Sequence, residues 1–120
     1  MKILVVDDSK TMRMIVIRHI RQAGYGDATI LEAGNGLEGL DLVAAASPDL
    51  ILSDWNMPEM TGIEFLQALR QRGYRTPFGF VTSEGSPEMV FQARSEGAKF
   101  LIAKPFNQQA FEEKLAEVAS

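Results

Sequence analysis

The sequence contains no cysteine, which excludes disulfide bonds and thiolate metal sites. Long apolar runs are also missing, since the longest, Leu42 to Ala46, is far shorter than the ~20 residues of a membrane-spanning helix. The N-terminal run Met1–Val6 meets Asp7 and Asp8 at once, so we expect no signal peptide. Basic charge is scarce as well, because 12 Lys and Arg stand against 16 Asp and Glu. A duplex-binding surface must be cationic, so we expect no direct contact with nucleic acid.

What is present is the composition of one ordinary globular domain. The chain has 120 residues, of which 46% are hydrophobic and 23% charged, and these values are typical of globular proteins. A chain of this length can bury a sizeable core without disulfide bonds. We therefore expect a single domain over residues 1–120, in the cytoplasm and without membrane contact.

Five short apolar segments predict five β-strands, and four of these segments are nearly uninterrupted. Such runs are typical of strands that are covered on both faces, as in a parallel sheet. The second run is shorter and is flanked by acidic residues, which predicts an edge strand. The predicted strands are Ile3–Val6, Thr29–Leu31, Leu50–Leu52, Phe78–Val81 and Phe100–Ala103.

Each predicted strand is followed by a segment whose apolar residues recur at the spacing of an amphipathic helix. Capping residues mark the starts of four of these helices: Ser9, Thr61, Ser86 and Asn107. In the second helix, the predicted apolar stripe consists of Leu37, Leu40, Val43 and Ala44. Strands that alternate with helices predict an α/β fold with a parallel sheet between two helical layers.

Polar residues follow four of the predicted strands, and in open parallel sheets ligands bind beyond these carboxyl ends. They are Asp7, Asp8, Asp54, Asn56, Thr82 and Lys104. Three carboxylates that are packed together repel one another unless a cation lies among them. A hard cation such as Mg²⁺ binds carboxylate oxygens and keeps positions for water and phosphate. This set of residues therefore favours attack by a carboxylate on a phosphoryl group, with Mg²⁺, Lys104 and Thr82 stabilising the phosphoryl oxygens.

Four motifs in order along the whole chain resemble those of response-regulator receiver domains. They are Val5-Val6-Asp7-Asp8-Ser9, Asp54-Trp55-Asn56-Met57-Pro58 with Met60 and Gly62, Thr82-Ser83, and Lys104-Pro105-Phe106. The second motif is most similar to that of the single-domain chemotaxis members of the family. The resemblance implies a flavodoxin-like (βα)5 sandwich with strand order 2-1-3-4-5 and no output domain.

The resemblance also implies the ligands of a Mg²⁺ ion and the residue that is phosphorylated. Asp54 matches the phosphoacceptor. Asp8, Asp54 and the backbone carbonyl of Asn56 match the direct metal ligands, and Asp7 matches a partner that acts through metal-bound water. The cofactor implied is therefore Mg²⁺, held at the carboxyl ends of the first and third strands.

The remaining motif residues imply a phosphorylation switch. Thr82 matches the switch hydroxyl and Lys104 the lysine that pairs with the phosphoryl group, with a cis peptide bond before Pro105. One position departs from the family pattern, because Leu101 stands where the family carries an aromatic residue. Phe100 is a neighbour in the same strand and points to the opposite face, so it cannot simply replace that aromatic residue.

The partners implied are a sensor histidine kinase, whose phosphohistidine supplies the phosphoryl group, and a downstream protein target. That target, for which the flagellar motor switch is one candidate, would bind the face of the fourth helix, fifth strand and fifth helix. A phosphatase is a further possible partner, and the chain would also catalyse its own dephosphorylation.

Other functions stay open from the sequence alone. The chain could be a stand-alone receiver that acts as a phosphate sink or an adaptor outside chemotaxis. A receiver that does no chemistry and only binds partners is disfavoured by the intact acidic set. A flavodoxin-like cofactor-binding protein is disfavoured, because carboxylates at Asp7 and Asp8 would repel a phosphate. A haloacid-type phosphatase is disfavoured by the spacing of these two acids. The single histidine, His19, is expected at the edge of the apolar stripe of the first helix.

Overall fold

Strands and helices alternate along the chain in the computed structural model, which describes residues 1–119. The strands are β1 (Lys2–Val6), β2 (Thr29–Ala33), β3 (Leu50–Ser53), β4 (Phe78–Thr82) and β5 (Phe100–Ala103). The helices are α1 (Lys10–Ile20), α2 (Gly36–Ala46), α3 (Gly62–Gln71), α4 (Pro87–Ser95) and α5 (Gln108–Ala119). The strands form one parallel sheet in the order β2-β1-β3-β4-β5. The predicted fold class and strand order are therefore confirmed.

The sheet separates two hydrophobic clusters because neighbouring residues of a strand point to opposite faces. In β1, Leu4 and Val6 join the cluster that packs under α2, α3 and α4. Ile3 and Val5 join the cluster that packs under α1 and α5. Both faces of the sheet are thus covered, which explains why its strands have apolar residues in succession.

The four predicted helix starts are confirmed by side-chain caps. Ser9, Thr61, Ser86 and Asn107 each accept a hydrogen bond from the backbone amide three residues later. At Thr61 the cap is reciprocal, since the Glu64 carboxylate accepts a hydrogen bond from the Thr61 amide. This bond lowers the pKa of Glu64. These local hydrogen bonds fix where α1, α3, α4 and α5 leave the sheet edge.

The strand β2 is an edge strand, as predicted, but it runs two residues beyond the predicted end at Leu31. Glu32 and Ala33 continue the pairing with β1. The Glu32 carboxylate lies at 2.9 Å from Nε of Arg13, which is on α1. A charged residue on an edge strand can reach solvent and a partner without leaving the ladder, so the polar residue did not end the strand.

The predicted apolar stripe of α2 is only half right. Leu40 and Val43 are buried, but Leu37 is 47% exposed and Ala44 is exposed too. The helix is instead turned so that two glycines face the core, and a Cβ on Gly39 would lie 2.7 Å from the Phe65 ring of α3. Close approach of α2 and α3 therefore depends on the missing side chain, which a count of apolar residues overlooks.

Gly79 and Phe100 form a cross-strand pair between β4 and β5. The Phe100 ring covers the face of Gly79 so closely that a Cβ on Gly79 would lie 2.2 Å from two ring atoms. Phe100 is 1% exposed and belongs to the cluster under α1 and α5. Leu101 is half-buried and packs with the opposite cluster. Phe100 therefore does not occupy the position of the family's aromatic residue, as the alternation of the strand predicts.

The contact between Gly79 and Phe100 predicts that Gly79→Ala destabilises the protein by about 1–3 kcal/mol, the usual cost of overpacking a core. Gly26→Ala is a matched control, because Gly26 has a φ of −60° and no atom within 4 Å of the added Cβ. This control should leave stability unchanged or raise it by up to about 1 kcal/mol. Urea unfolding of the three proteins measures both changes, and equal midpoints for the two variants would contradict the prediction.

Candidate functional site

Asp7 and Asp54 lie directly beyond the carboxyl ends of the central strands β1 and β3. The Asp7 amide donates to the Ala33 carbonyl at 3.1 Å, and the Asp54 amide donates to the Val6 carbonyl at 2.9 Å. Both backbones are thus held by a continuation of the sheet ladder. The sheet fixes the two carboxylates as neighbours at one edge.

Asp8 completes a cluster of three carboxylates with Asp7 and Asp54. An oxygen from each of them lies within 4.8 Å of an oxygen from the other two. Asp7 is 4% exposed and Asp54 is 8% exposed, whereas Asp8 faces solvent. The cluster therefore has a buried floor and an open side, from which a ligand can enter.

Backbone amides orient the two buried carboxylates. Oδ1 of Asp7 accepts a hydrogen bond from the Ser9 amide at 2.9 Å, and Oδ1 of Asp54 accepts one from the Trp55 amide at 2.7 Å. Burial raises the pKa of the Asp7 carboxyl; the Ser9 amide partly offsets this effect, and the Asp54 charge adds to it. The ionised cluster is therefore unfavourable without further positive charge.

Lys104 supplies one positive charge from the end of β5. Its Nζ lies 3.8 Å from Oδ2 of Asp54 and 3.9 Å from Oδ2 of Asp7. Its backbone amide donates to the Thr82 carbonyl at 2.7 Å, and its peptide bond to Pro105 is cis, as predicted. The ammonium group thus bridges the two buried carboxylates at distances longer than a direct hydrogen bond.

The other predicted site residues lie at the same sheet edge with fewer contacts to the cluster. Thr82 is fully buried at the end of β4, and its Oγ1 accepts a long hydrogen bond of 3.5 Å from the Glu84 amide. Asn56 is exposed in the loop after β3. The structure therefore brings Asp7, Asp8, Asp54 and Lys104 together, and the roles of Thr82 and Asn56 stay predictions.

Two residues that support the cluster were not singled out as supports from the sequence. Arg13 donates from Nη1 to the Asp7 carbonyl and so links α1 to the end of β1. Gly62 begins α3 directly under the cluster, where a Cβ would lie 2.2 Å from the Asp54 carbonyl oxygen. The Gly62 amide also donates to the Trp55 carbonyl at 2.7 Å. The Gly62 position in the motif was visible, but the close backbone approach depends on tertiary packing.

The donor set fits a hard divalent cation. Lys104 offsets one of three formal negative charges, and the uncompensated charge contributes to the raised pKa of Asp7. The three clustered side chains offer carboxylate oxygens, which Mg²⁺ prefers over nitrogen or sulfur ligands. Asp8 and Asp54 would hold such an ion on the open side of the cluster.

A model of the response regulator receiver domain family matches residues 3–116. The chain belongs to this family. It is 40% identical to the chemotaxis protein CheY1 of Helicobacter pylori, over 98% of this chain and 96% of that protein. It is also 40% identical to a CheY homolog of Campylobacter jejuni, over 98% of this chain and 92% of that protein.

Solved structures give the same result for the fold. The chemotaxis protein CheY4 of Vibrio cholerae superimposes with a TM-score of 0.85 at 38% identity, covering 98% of this chain and 97% of that one. The receiver domain of NarL from Mycobacterium tuberculosis has a TM-score of 0.86 at 27% identity, with 98% and 94% covered. The chain is thus a receiver domain similar to chemotaxis response regulators. Across residues 1–119, every helix is too short or too polar to cross a lipid bilayer.

The raised pKa of Asp7 predicts how pH affects the stability of this receiver domain without metal. The folded state holds the Asp7 proton more tightly than the unfolded state, so ionisation costs stability above the folded-state pKa, and the cost disappears below the ordinary value of 3.8. We expect Asp7→Asn to raise the urea midpoint at neutral pH in EDTA. The gain should shrink as the pH is lowered toward that value. An equal rise of the urea midpoint at neutral pH and near pH 3.8 would contradict the buried charge as the cause of the gain.

Proposed function

We propose that this receiver domain is a phosphorylation-dependent switch of a two-component system. A sensor histidine kinase supplies the phosphoryl group from its phosphohistidine, and Asp54 accepts it in a Mg²⁺-dependent reaction. The observation that carries the proposal is the cluster of Asp54 with two further carboxylates and the Lys104 ammonium group at the receiver sheet edge.

In the proposed transfer, a carboxylate oxygen of Asp54 forms a bond to phosphorus while the bond from phosphorus to the imidazole nitrogen breaks. The leaving imidazole takes up a proton and becomes a neutral histidine. Asp54 is prepared for this role because the Trp55 amide holds its Oδ1 while Oδ2 faces Lys104. The carboxylate therefore has one defined orientation before the donor arrives, which lowers the entropic cost of the attack.

The residues around Asp54 stabilise the charge that develops on the phosphoryl oxygens. Nζ of Lys104 lies close enough to Asp54 to pair with the new phosphoryl group after a short shift away from Asp7. Thr82 would donate its hydroxyl to another phosphoryl oxygen from the end of β4. A Mg²⁺ ion held by Asp8, Asp54 and the Asn56 carbonyl would neutralise the carboxylates and a phosphoryl oxygen. Hydrolysis by water, which breaks the bond between phosphorus and Asp54, returns the carboxylate and releases phosphate.

The output of the switch is a downstream protein that binds the face of α4, β5 and α5, as expected for a cytoplasmic chemotaxis response regulator. The similar proteins are named as chemotaxis proteins, which supports a role of this switch in chemotaxis. Phe91 on α4 is 75% exposed, which supports this face as the binding surface. Such an exposed aromatic side chain is typical of residues that anchor a partner.

Phosphorylation of Asp54 is tested with acetyl phosphate, a small donor that needs no kinase. We expect intact mass to rise by one phosphoryl group in the presence of Mg²⁺ and not in EDTA. Asp54→Asn should abolish the gain, because an amide cannot form the mixed anhydride. Asp41→Asn, which alters an exposed acid on α2, should behave like the parent. Undiminished labelling of Asp54→Asn would contradict the assignment.

The dependence on Mg²⁺ is tested through Trp55, the single tryptophan, whose ring lies 4.7 Å from that of Phe80 beside the cluster. Removal of a direct ligand should weaken binding more than removal of an outer-sphere partner, so we expect Asp8→Ala to raise the Mg²⁺ concentration at half-saturation at least ~10-fold. Asp41→Ala is the control for the loss of a surface charge. If the Mg²⁺ titration of Trp55 fluorescence is unchanged in Asp8→Ala, Asp8 is not a metal ligand.

A further inference from the structure

His19 joins the C-terminal part of α1 to the beginning of α5. Its ring stacks on Phe111 with centroids 4.8 Å apart and an angle of 9° between the planes. The Phe106 ring lies nearly perpendicular to the His19 ring, with centroids 5.4 Å apart and an angle of 81° between the planes. Nδ1 of His19 lies 2.6 Å from Oε1 of Gln108. The expected position at the edge of the α1 stripe is therefore right, but the residue makes more contacts than a boundary position needs.

The hydrogen bonds between His19 and Gln108 are reciprocal, and this fixes their direction. Nε2 of Gln108 donates to the His19 carbonyl at 3.1 Å, and only the amide nitrogen can donate to a carbonyl. Oε1 therefore faces Nδ1 of His19 and must accept from it, so Nδ1 carries a proton. The ring and the backbone carbonyl of His19 thus make a two-point connection between α1 and the first turn of α5.

The residues held by His19 directly follow the lysine of the site. Lys104 is fixed on one side by the hydrogen bond from its amide to the Thr82 carbonyl. On the other side, after Pro105, Phe106 is half-buried, and its ring contacts both His19 and Phe111. The Lys104 side chain thus extends from a short segment whose C-terminal anchor is the aromatic group around His19.

The same helix also contacts the acidic cluster at its other end. Ser9 caps α1, and the Ser9 amide donates to Oδ1 of Asp7. One helix therefore connects the carboxylate that Lys104 approaches with the segment that carries Lys104. Because α1 is stiff over this length, a fixed contact at His19 limits the distance between Asp7 and the segment that carries Lys104.

We propose that His19 is a positioning residue for Lys104. Through Gln108 and Phe106 it holds the 104–106 segment so that Nζ of Lys104 stays between Asp7 and Asp54. An effect of His19 on the rate of phosphorylation rests on the proposed phosphoryl transfer, whereas the position of Nζ of Lys104 can be tested without it.

The position of Nζ is tested by competitive labelling of lysines with trace acetic anhydride in the metal-free protein, read by peptide mass spectrometry. The exposed Lys99 is the internal reference. In His19→Leu we expect the relative labelling of Lys104 to rise about three- to tenfold, as for the loss of one or two hydrogen bonds that favour the held state. His19→Asn keeps a side-chain donor to Gln108, so it should restore part of the protection.

Val118→Ala is the control for lost stability. Val118 is a half-buried residue of α5 in the same hydrophobic cluster as Phe106 and Phe111. It is distant in sequence from the 104–106 segment. This variant should leave Lys104 labelling unchanged. Equal labelling of Lys104 in the parent and His19→Leu, or an equal rise in Val118→Ala, would overturn the inference. If His19→Leu does not fold, Gln108→Leu removes the same pair from the α5 side and replaces it in both tests.

The consequence for phosphorylation is tested by comparing rates with acetyl phosphate in two backgrounds. His19→Leu should slow phosphorylation about three- to tenfold when Lys104 is present, and should have no further effect in Lys104→Ala, since a residue that acts through Lys104 cannot act without it. A slowing of the same size in both backgrounds would overturn the positioning role. If the parent is never phosphorylated, the proposed function fails, and the labelling result alone decides whether His19 positions Lys104.

Discussion

Three carboxylates lie within 4.8 Å of one another, with one ammonium group between two of them. Because they repel each other, they stay together only if the fold holds them in place. The parallel sheet does so, because Asp7 and Asp54 continue the ladders of two adjacent central strands. The two hydrophobic clusters that cover this sheet supply the stability that the repulsion costs. Burial, with a smaller contribution from the Asp54 charge, raises the pKa of Asp7, and a bound cation would favour its ionised form.

Much of this arrangement could be predicted from the sequence, because its signals are local. Apolar runs gave the strands, and the side chains of Ser9, Thr61, Ser86 and Asn107 gave the helix starts, since each cap is a hydrogen bond across three residues. The convergence of Asp7, Asp8, Asp54 and Lys104 followed from the shared edge of parallel strands. The order of the strands is not a local property, and it came only from the family resemblance.

What could not be predicted depends on the distances between elements. The exposure of Leu37 and the close approach of Gly39 to Phe65 follow from the rotation of α2, which several side chains decide together. Gly62 under the Asp54 carbonyl and the pairing of His19 with Gln108 are of the same kind. Residues 89 apart in sequence meet because α1 and α5 share one face of the sheet, and no local pattern encodes that pairing.

The packing of Phe100 over Gly79 constrains how this sequence can change during evolution. A side chain at Gly79 collides with the ring, while a small residue at Phe100 leaves a cavity, which for Phe→Ala changes typically costs about 3–5 kcal/mol. The two positions therefore depend on each other, and single changes at either one pass through a less stable protein. A larger residue at position 79 is therefore best tolerated when the residue at position 100 becomes smaller as well. Among related receivers, we expect large residues to occur at one of these two positions and rarely at both.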